Sequence, residues 1–193
     1  MIWLFVFLPS VTQFSGKMHG ESKSLLKVFQ MRWPVAPILV LILVTNLHAD
    51  ELRGKVVSVA DGDTITVLDA DKVQHRIRLE GIDSPEKKQA FGTKGKERMI
   101  EKVADKEVVV QWKKKDQYGR ILGDVQLGKQ HINLEMVQDG LAWHYKQYSD
   151  SKELAEAEVA ARKAKKGLWV DKEPTPPWEF RKKEREAAKS KKK

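Results

Sequence analysis

Three short segments contain the residues whose side chains could act together in a reaction. They are Asp61 to Thr64, Arg78 to Glu86 and Asp116 to Arg120. Together they supply three carboxylates and two guanidinium groups, on Asp63, Asp83, Glu86, Arg78 and Arg120. Cleavage of a phosphodiester needs such a set: oxygen ligands for a hard cation such as Ca²⁺, a carboxylate base for the attacking water, and arginines that pair with phosphoryl oxygens. This chemistry does not require a serine, cysteine or histidine nucleophile.

Each segment also has an ordinary structural explanation. Asp63 beside a glycine is a common turn former. Glu86 could be solvated surface, and Arg78 could pair with Glu80 on its own strand. The presence of all three acids, together with a second arginine at Arg120, favours a metal and phosphate site over these separate explanations.

The elements that must position these residues are mainly strands. Alternating, valine-rich runs predict five of them, at residues 52–60, 64–68, 73–80, 106–112 and 120–127. Capping residues and apolar spacing predict helices at residues 93–103, 133–139 and 150–167. Five strands with a helix inserted after the third is the order of the OB-fold, a small barrel. The sequence therefore predicts a mainly β protein of the α+β class: a five-stranded OB-fold β-barrel with about three helices.

Local signals also predict how individual elements begin and turn. Asp61-Gly62 between β-branched runs predicts a hairpin in which Gly62 adopts a positive φ. Thr93 is expected to cap the first helix. Asp150 is expected to cap the last helix, with Glu153 completing a capping box.

Length and composition limit the class of protein. A chain of 193 residues fits one domain with extensions, and the absence of cysteine excludes disulfides and thiolate metal sites. Residues 50–171 contain 23 basic and 22 acidic side chains, whereas residues 172–193 contain nine basic and four acidic ones. We expect residues 50–171 to form the folded domain and residues 172–193 to be a disordered basic tail that attracts nucleic acid in a salt-dependent way.

The N-terminal extension has the features of a secretory signal. The ten apolar residues from Val35 to Val44 are too few to span a bilayer but suit the centre of a signal peptide. Met31 and Arg32 before them supply an initiator methionine and a positive charge, and Ala49 is a plausible cleavage point. We expect residues 1–30 to be an extension due to start-site choice, residues 31–49 to be the signal peptide, and the product to be secreted or periplasmic. The alternative is an uncleaved membrane anchor.

The three segments, in their order and spacing, resemble the staphylococcal nuclease (thermonuclease) family. The resemblance runs roughly from Leu52 to Trp169 and rests on the Asp-Gly-Asp-Thr turn, the Arg-x-x-x-x-Asp-Ser-Pro-Glu run and the Tyr-Gly-Arg triplet. Each motif alone is weak, but all three within an OB-like strand pattern make a specific match. The resemblance implies an exported endonuclease that uses one Ca²⁺ ion and cuts DNA and RNA to 3′-phosphorylated products.

The resemblance also implies which residues hold the ion. Asp63 and Asp83 are expected to bind Ca²⁺ through their carboxylates, and Ser84 through its backbone carbonyl. Asp61 is expected to reach the ion through water. Carboxylate and carbonyl oxygens are the donors that this cation prefers.

The remaining matching residues are expected to act on the substrate. Glu86 is the expected general base on a metal-associated water, and Arg78 and Arg120 are expected to hold the phosphate. Arg120 is also expected to assist the leaving group. Tyr118 and Tyr145 are expected to line the nucleotide pocket.

Most histidines and tryptophans are expected to lie outside this site. Three histidines lack the spacing of metal ligands and are expected to be exposed or partly packed: His75, His131 and His144. Three tryptophans are expected to belong to the core: Trp112, Trp143 and Trp169. Trp178 follows the prolines of the tail and has no evident core partner in the sequence.

Two functions of different classes fit these observations. One is a nuclease, and the other is a non-catalytic barrel of the same type that only binds nucleic acid. Domains that only bind usually lose part of the acid and arginine set, and this chain has the whole set, which favours the enzyme. As partners we expect DNA and RNA, with single-stranded or denatured substrate preferred. We expect a monomer with no stable membrane association after processing.

Overall fold

The alternating strands predicted from the sequence close into a small barrel. A computed structural model describes residues 50–191. The predicted extension at residues 1–30 and the predicted signal peptide at residues 31–49 lie outside the described residues. The barrel confirms the predicted α+β, OB-like fold.

Eight strands are found in the described part of the chain: β1 Asp50–Asp61, β2 Thr64–Leu68, β3 Gln74–Leu79, β4 Ile82–Asp83, β5 Glu107–Lys115, β6 Ile121–Leu127, β7 Gln130–His131 and β8 Trp143–His144. Neighbouring strands follow the order β3-β2-β1-β5-β6-β7. A parallel pairing of β3 with β6, which sets Arg78 opposite Leu122, closes five of these strands into the barrel. The short strands β4 and β8 pair separately at its side.

Four α-helices surround the barrel within residues 50–191: α1 Gly92–Val103, α2 Ile132–Gln138, α3 Lys152–Lys163 and α4 Pro177–Ser190. A turn of 3₁₀-helix covers Gly167–Val170. Within the described range, none of the helices combines the length and the apolar character that a membrane crossing requires.

Apolar side chains from the strands and from three helices meet in one core. The strands contribute Val56, Ile65, Val67, Ile77, Leu79, Val110 and Val125, and the helices contribute Met99, Val103, Met136, Val137 and Leu154. A second, smaller cluster beside it consists of Trp143, Ala161, Leu168 and Trp169. The two clusters make the barrel a rigid support for the loops at its end.

Two predicted helix caps are wrong. The residue before α1 is Phe91, which has a φ of 67° and makes no side-chain capping bond, so Thr93 lies inside the helix. At α3 the cap is Ser151, whose hydroxyl oxygen accepts a hydrogen bond from the Leu154 backbone N–H at 3.3 Å, and Asp150 lies outside the helix. At α3 the adjacent serine and aspartate are capping residues of similar strength, and at α1 the left-handed backbone of Phe91 precedes the helix without a side-chain cap.

The predicted hairpin is present, but the reason for its glycine differs from the prediction. Asp61 pairs with Thr64 across a two-residue turn. The backbone angle of Gly62 is not in the left-handed region. A β-carbon at Gly62 would lie 2.6 Å from the Ser84 hydroxyl oxygen, closer than real contacts allow. Glycine is therefore needed so that the turn can approach the segment that follows β4.

The C-terminal tail is the largest departure from the sequence prediction. It was expected to be disordered because it has no apolar stripe, yet residues 177–190 form α4. Proline at the first helical position favours this start. The first two turns also have contacts that a count of apolar residues misses, because Trp178 packs on the second cluster and Arg181 forms ion pairs with Asp83 and Glu86.

Candidate active site

The acids of the site are brought together by the hairpin and by the short strand β4. Asp63 lies in the turn between β1 and β2, and Asp83 ends β4, where it pairs with Trp143 of β8. The backbone N–H of Ser84 donates to Asp63 Oδ2 at 2.6 Å, and the Ser84 hydroxyl donates to the Leu141 carbonyl at 3.1 Å. Asp63, Asp83 and Ser84 are all buried. The first of these bonds links segments 21 residues apart in the sequence, and the second links segments 57 residues apart.

Arg78 joins the two buried acids. It lies on β3 directly opposite Thr64 of β2, beside the turn that carries Asp63. Its Nη1 lies 2.6 Å from Asp63 Oδ2, and its Nη2 donates to Asp83 Oδ1 at 2.7 Å. The Arg78 side chain is only 13% exposed. The alternative pairing with Glu80 on the same strand is not the one observed.

The structure adds an arginine that the sequence reasoning missed. Arg181, in the second turn of α4, donates through Nη1 to Glu86 Oε1 at 2.7 Å and to Asp83 Oδ1 at 3.1 Å. Its Nη2 donates to Asp83 Oδ2 at 2.8 Å. No local motif marks Arg181, since it is one of several basic residues in a highly charged tail. It is also 95 residues from Glu86 in the sequence.

Carboxylates and guanidiniums alternate through the site, in the order Asp63, Arg78, Asp83, Arg181 and Glu86. When all five groups are ionised, three negative charges face two positive ones. Burial raises the pKa of Asp63 to about 7, against the opposing effect of Arg78, and its acidic neighbours raise it further. Partial burial lowers the pKa of Arg181, but its contacts with Asp83 and Glu86 outweigh this and raise it. Such a crowded set of carboxylates is stabilised by a further cation.

Arg120 and Tyr118 are not drawn into this cluster. Arg120 donates through Nε to Asp116 Oδ2 at 2.7 Å and lies over the Tyr118 ring, with 5.7 Å from its guanidinium carbon to the ring centroid. Hydrogen bonds from Arg120 and from the Tyr118 backbone hold the pKa of Asp116 low, although partial burial opposes this. Arg120 directly precedes β6, the strand that runs beside β3, while Tyr118 is 75% exposed. The pair forms a separate turn beside the acids.

Tyr145 lies at the edge of the acidic cluster, under α4. Its ring stacks on Trp178 with 5.2 Å between centroids and 2° between planes. Burial raises the pKa of Tyr145, and the neighbouring Asp83 raises it further. Trp178 also meets Trp143 edge to face at 5.6 Å. These contacts give Trp178 the partners that the sequence did not reveal.

The similarity to known proteins identifies the family of the chain. Residues 76–171 match the protein family described as "Staphylococcal nuclease homologue". A protein of Escherichia coli named "Uncharacterized endonuclease" is 42% identical over 146 residues, which cover 75% of this chain and 95% of that protein. The chain belongs to the staphylococcal nuclease family.

Further relatives extend this similarity beyond the matched segment. A protein of Shigella flexneri named "Micrococcal nuclease" is 40% identical over 158 residues, which cover 76% of this chain and 90% of that protein. An "Uncharacterized endonuclease" of Haemophilus influenzae is 39% identical over 148 residues, covering 77% of this chain and 83% of its own. The chain is thus a member of a family of nucleases, which are hydrolases that act on nucleic acid.

The donors of the site suit a hard cation. Within residues 50–191, no three acidic, histidine or cysteine side chains are grouped as a ready metal cage. Asp63 and Asp83 nevertheless face a single guanidinium from two sides, and the backbone of Ser84 lies against Asp63. Two carboxylates and a carbonyl offer the oxygen donors that Ca²⁺ accepts, with further ligands coming from water or phosphate.

Two of the three histidines have a carboxylate partner, and the third is buried. His75 pairs with Asp69 at 2.7 Å and His131 with Asp124, both partly exposed. His144 differs from the prediction because it is buried, at 3% exposure, and burial lowers its pKa. Trp143 and Trp169 are core residues as predicted, and Trp112 packs on the core while partly exposed.

Proposed function

We propose that the protein is an exported, calcium-dependent endonuclease that hydrolyses phosphodiester bonds of DNA and RNA to 3′-phosphorylated products. The observation that carries the proposal is the meeting of Asp63, Arg78, Asp83 and Glu86 at one end of the barrel. These residues come from a hairpin, a strand and a loop, and together they form the donor and acceptor set that phosphodiester hydrolysis needs. Family membership supports the same conclusion.

In this proposal each residue has a defined task. Asp63, Asp83 and the Ser84 carbonyl would hold Ca²⁺, which would supply charge that offsets the phosphate and makes a nearby water more acidic. Glu86 accepts a proton from the attacking water as its oxygen bonds to phosphorus and the bond to the 5′ oxygen breaks. Arg78 pairs with the phosphoryl oxygens as negative charge develops on them.

The turn that carries Arg120 completes the proposed site. Arg120 exchanges its partner Asp116 for the substrate phosphate and donates a hydrogen bond to the departing 5′ oxygen, which takes its proton from solvent. Tyr118 and Tyr145 contact the neighbouring nucleotide, since aromatic rings stack on unpaired bases. This contact favours single-stranded or denatured substrate, because paired bases are not free to stack.

The deciding assay is digestion of denatured DNA and of RNA with Ca²⁺, with and without a chelator. We expect cleavage that disappears with chelator and products that end in a 3′-phosphate. Glu86→Gln should lower kcat by at least ~10²-fold, the scale for losing a general base. The matched control is Glu107→Gln, an exposed glutamate at the start of β5. Equal rates for the two variants would remove Glu86 from the proposed role.

One observation favours the alternative of a non-catalytic nucleic-acid-binding module. Arg181 already pairs with Asp83 and Glu86, the two acids that face α4. A permanent pairing would leave a barrel that binds nucleic acid without cutting it. In that case the digestion assay would give no product under any ionic condition, while an unlabelled strand would still compete for binding.

Export is a separate part of the proposal and rests on the sequence alone. Residues 31–49 combine a charged start, a short apolar centre and a small residue at a plausible cleavage point. N-terminal sequencing of the exported protein should return a start near Asp50. Recovery of a protein that still carries residues 35–44 would contradict this part.

A further inference from the structure

The helix α4 is attached to the rest of the protein by a small contact. Pro177 is buried and Trp178 and Arg181 are partly buried, whereas every residue from 182 to 191 is exposed. Just before the helix, the Gln89 side-chain amide donates to the Thr175 carbonyl. An element held by one or two turns, with most of its length in solvent, opens at low free-energy cost.

This small contact falls on the proposed active site. The guanidinium of Arg181 contacts both oxygens of Asp83 and one oxygen of Glu86, at 2.7–3.1 Å. The Trp178 ring covers one face of Tyr145. The docked helix therefore engages a proposed ion ligand, the proposed base and a proposed base-stacking residue at the same time.

A guanidinium in this position opposes the use of the acids. The lone pairs of Asp83 that point at Arg181 are the same donors that a cation would use. Glu86 Oε1 is also occupied by its hydrogen bond from Arg181 and is not free to accept one from a water. Likewise a nucleotide base cannot stack on the face of Tyr145 that Trp178 covers.

The exposed part of α4 has the charge to be drawn to the substrate. Residues 182–191 carry five basic side chains and two acidic ones, with the basic ones at Lys182, Lys183, Arg185, Lys189 and Lys191. Such residues bind the nucleic-acid backbone by releasing counterions from it. Once undocked, Arg181 is free to pair with phosphate and Tyr145 is free to stack on a base. The undocked state therefore binds nucleic acid better, and binding shifts the equilibrium towards it.

We propose that α4 is a removable cap on the active site. In the free protein Arg181 and Trp178 hold Asp83, Glu86 and Tyr145, and a nucleic-acid strand displaces the helix and opens the acids to the cation. The cap keeps the nuclease inactive until substrate binds. This inference rests on the proposed function, because it assigns the capped acids to catalysis.

The first test measures the affinity for Ca²⁺ without nucleic acid, by isothermal titration calorimetry. If the capped state holds about nine-tenths of the molecules, removal of the cap tightens the apparent Kd about tenfold. Arg181→Ala should show this gain. Arg185→Ala is the matched control, because it removes one positive charge from the same helix, one turn further along, at an exposed position. It should leave the Kd within about twofold of the wild type.

The second test follows the helix itself by hydrogen exchange, in chelator so that no strand is cut. Addition of single-stranded oligothymidine of about ten nucleotides, within the usual site size for such strands, should speed exchange in residues 178–184 of the wild type. Arg181→Ala should exchange fast there without the strand, and Arg185→Ala should match the wild type. The barrel strands should exchange slowly in all three proteins, which controls for unfolding.

The outcomes separate the cap from the proposed function. Equal exchange in the two variants, or fast exchange in Arg181→Ala without a gain in Ca²⁺ affinity, overturns the cap. Weaker Ca²⁺ binding in Arg181→Ala also overturns it, since Arg181 would then assist the site. If cleavage by the wild type is intact in these cases, the proposed function stands. If neither the wild type nor the variants bind Ca²⁺ or cut, the proposed function fails and the cap with it.

Discussion

Asp83 is held by two arginines that belong to very different parts of the molecule. Arg78 lies on β3, which pairs with β2 on one side and β6 on the other inside the closed barrel. Arg181 lies on α4, where most of the helix is exposed. The Arg78 side chain is 13% exposed and that of Arg181 is 32% exposed. The same chemical contact is therefore made from a paired barrel strand in one region and from a mostly exposed helix in the other.

The difference shows that an ion pair takes its strength from the elements that carry it. The barrel pairings of β3 hold the backbone of Arg78 beside its acids, and removal of its side chain would leave the two buried acids without their shared partner. Arg181 can leave with a single helix, and solvent already reaches part of its side chain. The comparison separates a residue that organises the site from one that, in the proposed cap, covers it.

The largest expected effect comes from Arg78→Met. Removing this guanidinium leaves Asp63 and Asp83 buried without their shared partner, which should lower the free energy of unfolding by about 3–5 kcal/mol. Arg181→Ala should lower it by about 1 kcal/mol or less, because the contact is partly solvated. Urea denaturation followed by circular dichroism measures both. Similar losses of unfolding free energy in the two variants would contradict the distinction between the barrel arginine and the arginine on α4.

A smaller loss of stability is expected when the turn that carries Asp63 is altered. In Gly62→Ala the new methyl group would press on the Ser84 hydroxyl, which should cost about 1–3 kcal/mol of unfolding free energy. Cleavage should fall as well, because the turn and Ser84 carry proposed ion ligands. Gly95→Ala on α1 is the control, since a β-carbon there has only ordinary contacts, 3.5 Å or more away. Thermal unfolding and the digestion assay report the two effects, and a fully active Gly62→Ala would show that the close approach is not needed.

The smallest effect is expected from Trp178→Ala, which removes the aromatic contacts of α4. The stacked and edge-to-face pairs that Trp178 makes are worth about 1 kcal/mol of unfolding free energy. Trp169→Ala removes a residue that is only 6% exposed in the second cluster, and should cost about 3–5 kcal/mol. Thermal melts of the two variants compare them directly. A Trp178→Ala protein as unstable as Trp169→Ala would mean that α4 is part of the permanent fold.

The predictions from sequence succeeded where a structure depends on neighbours in the chain. The strands were found from alternation, and the hairpin at Asp61 to Thr64 from its turn residues, because both patterns are set within a few residues. The predicted cap at Asp150 failed because the adjacent Ser151 has a similar capping energy, and the one at Thr93 failed because the helix begins after Phe91 without a side-chain cap.

The same distinction holds inside the site. The segments containing Asp63, Arg78, Asp83 and Glu86 were identified from residue type and spacing, and the structure brings them together. Arg120 was expected with them but pairs with Asp116, four residues away, since a local partner is reached without any long-range folding. Nothing near Arg181 in the sequence distinguishes it from its basic neighbours.

The amino-acid sequence by itself determined the barrel pattern and the chemistry available to the site, because alternation, turn residues and side-chain type are local properties. Only the tertiary structure decided which groups pair. The contact of Gly62 with Ser84 and the docking of Arg181 on Asp83 join segments far apart in the chain. Such contacts depend on the closure of the barrel, which sets distances that no local pattern encodes.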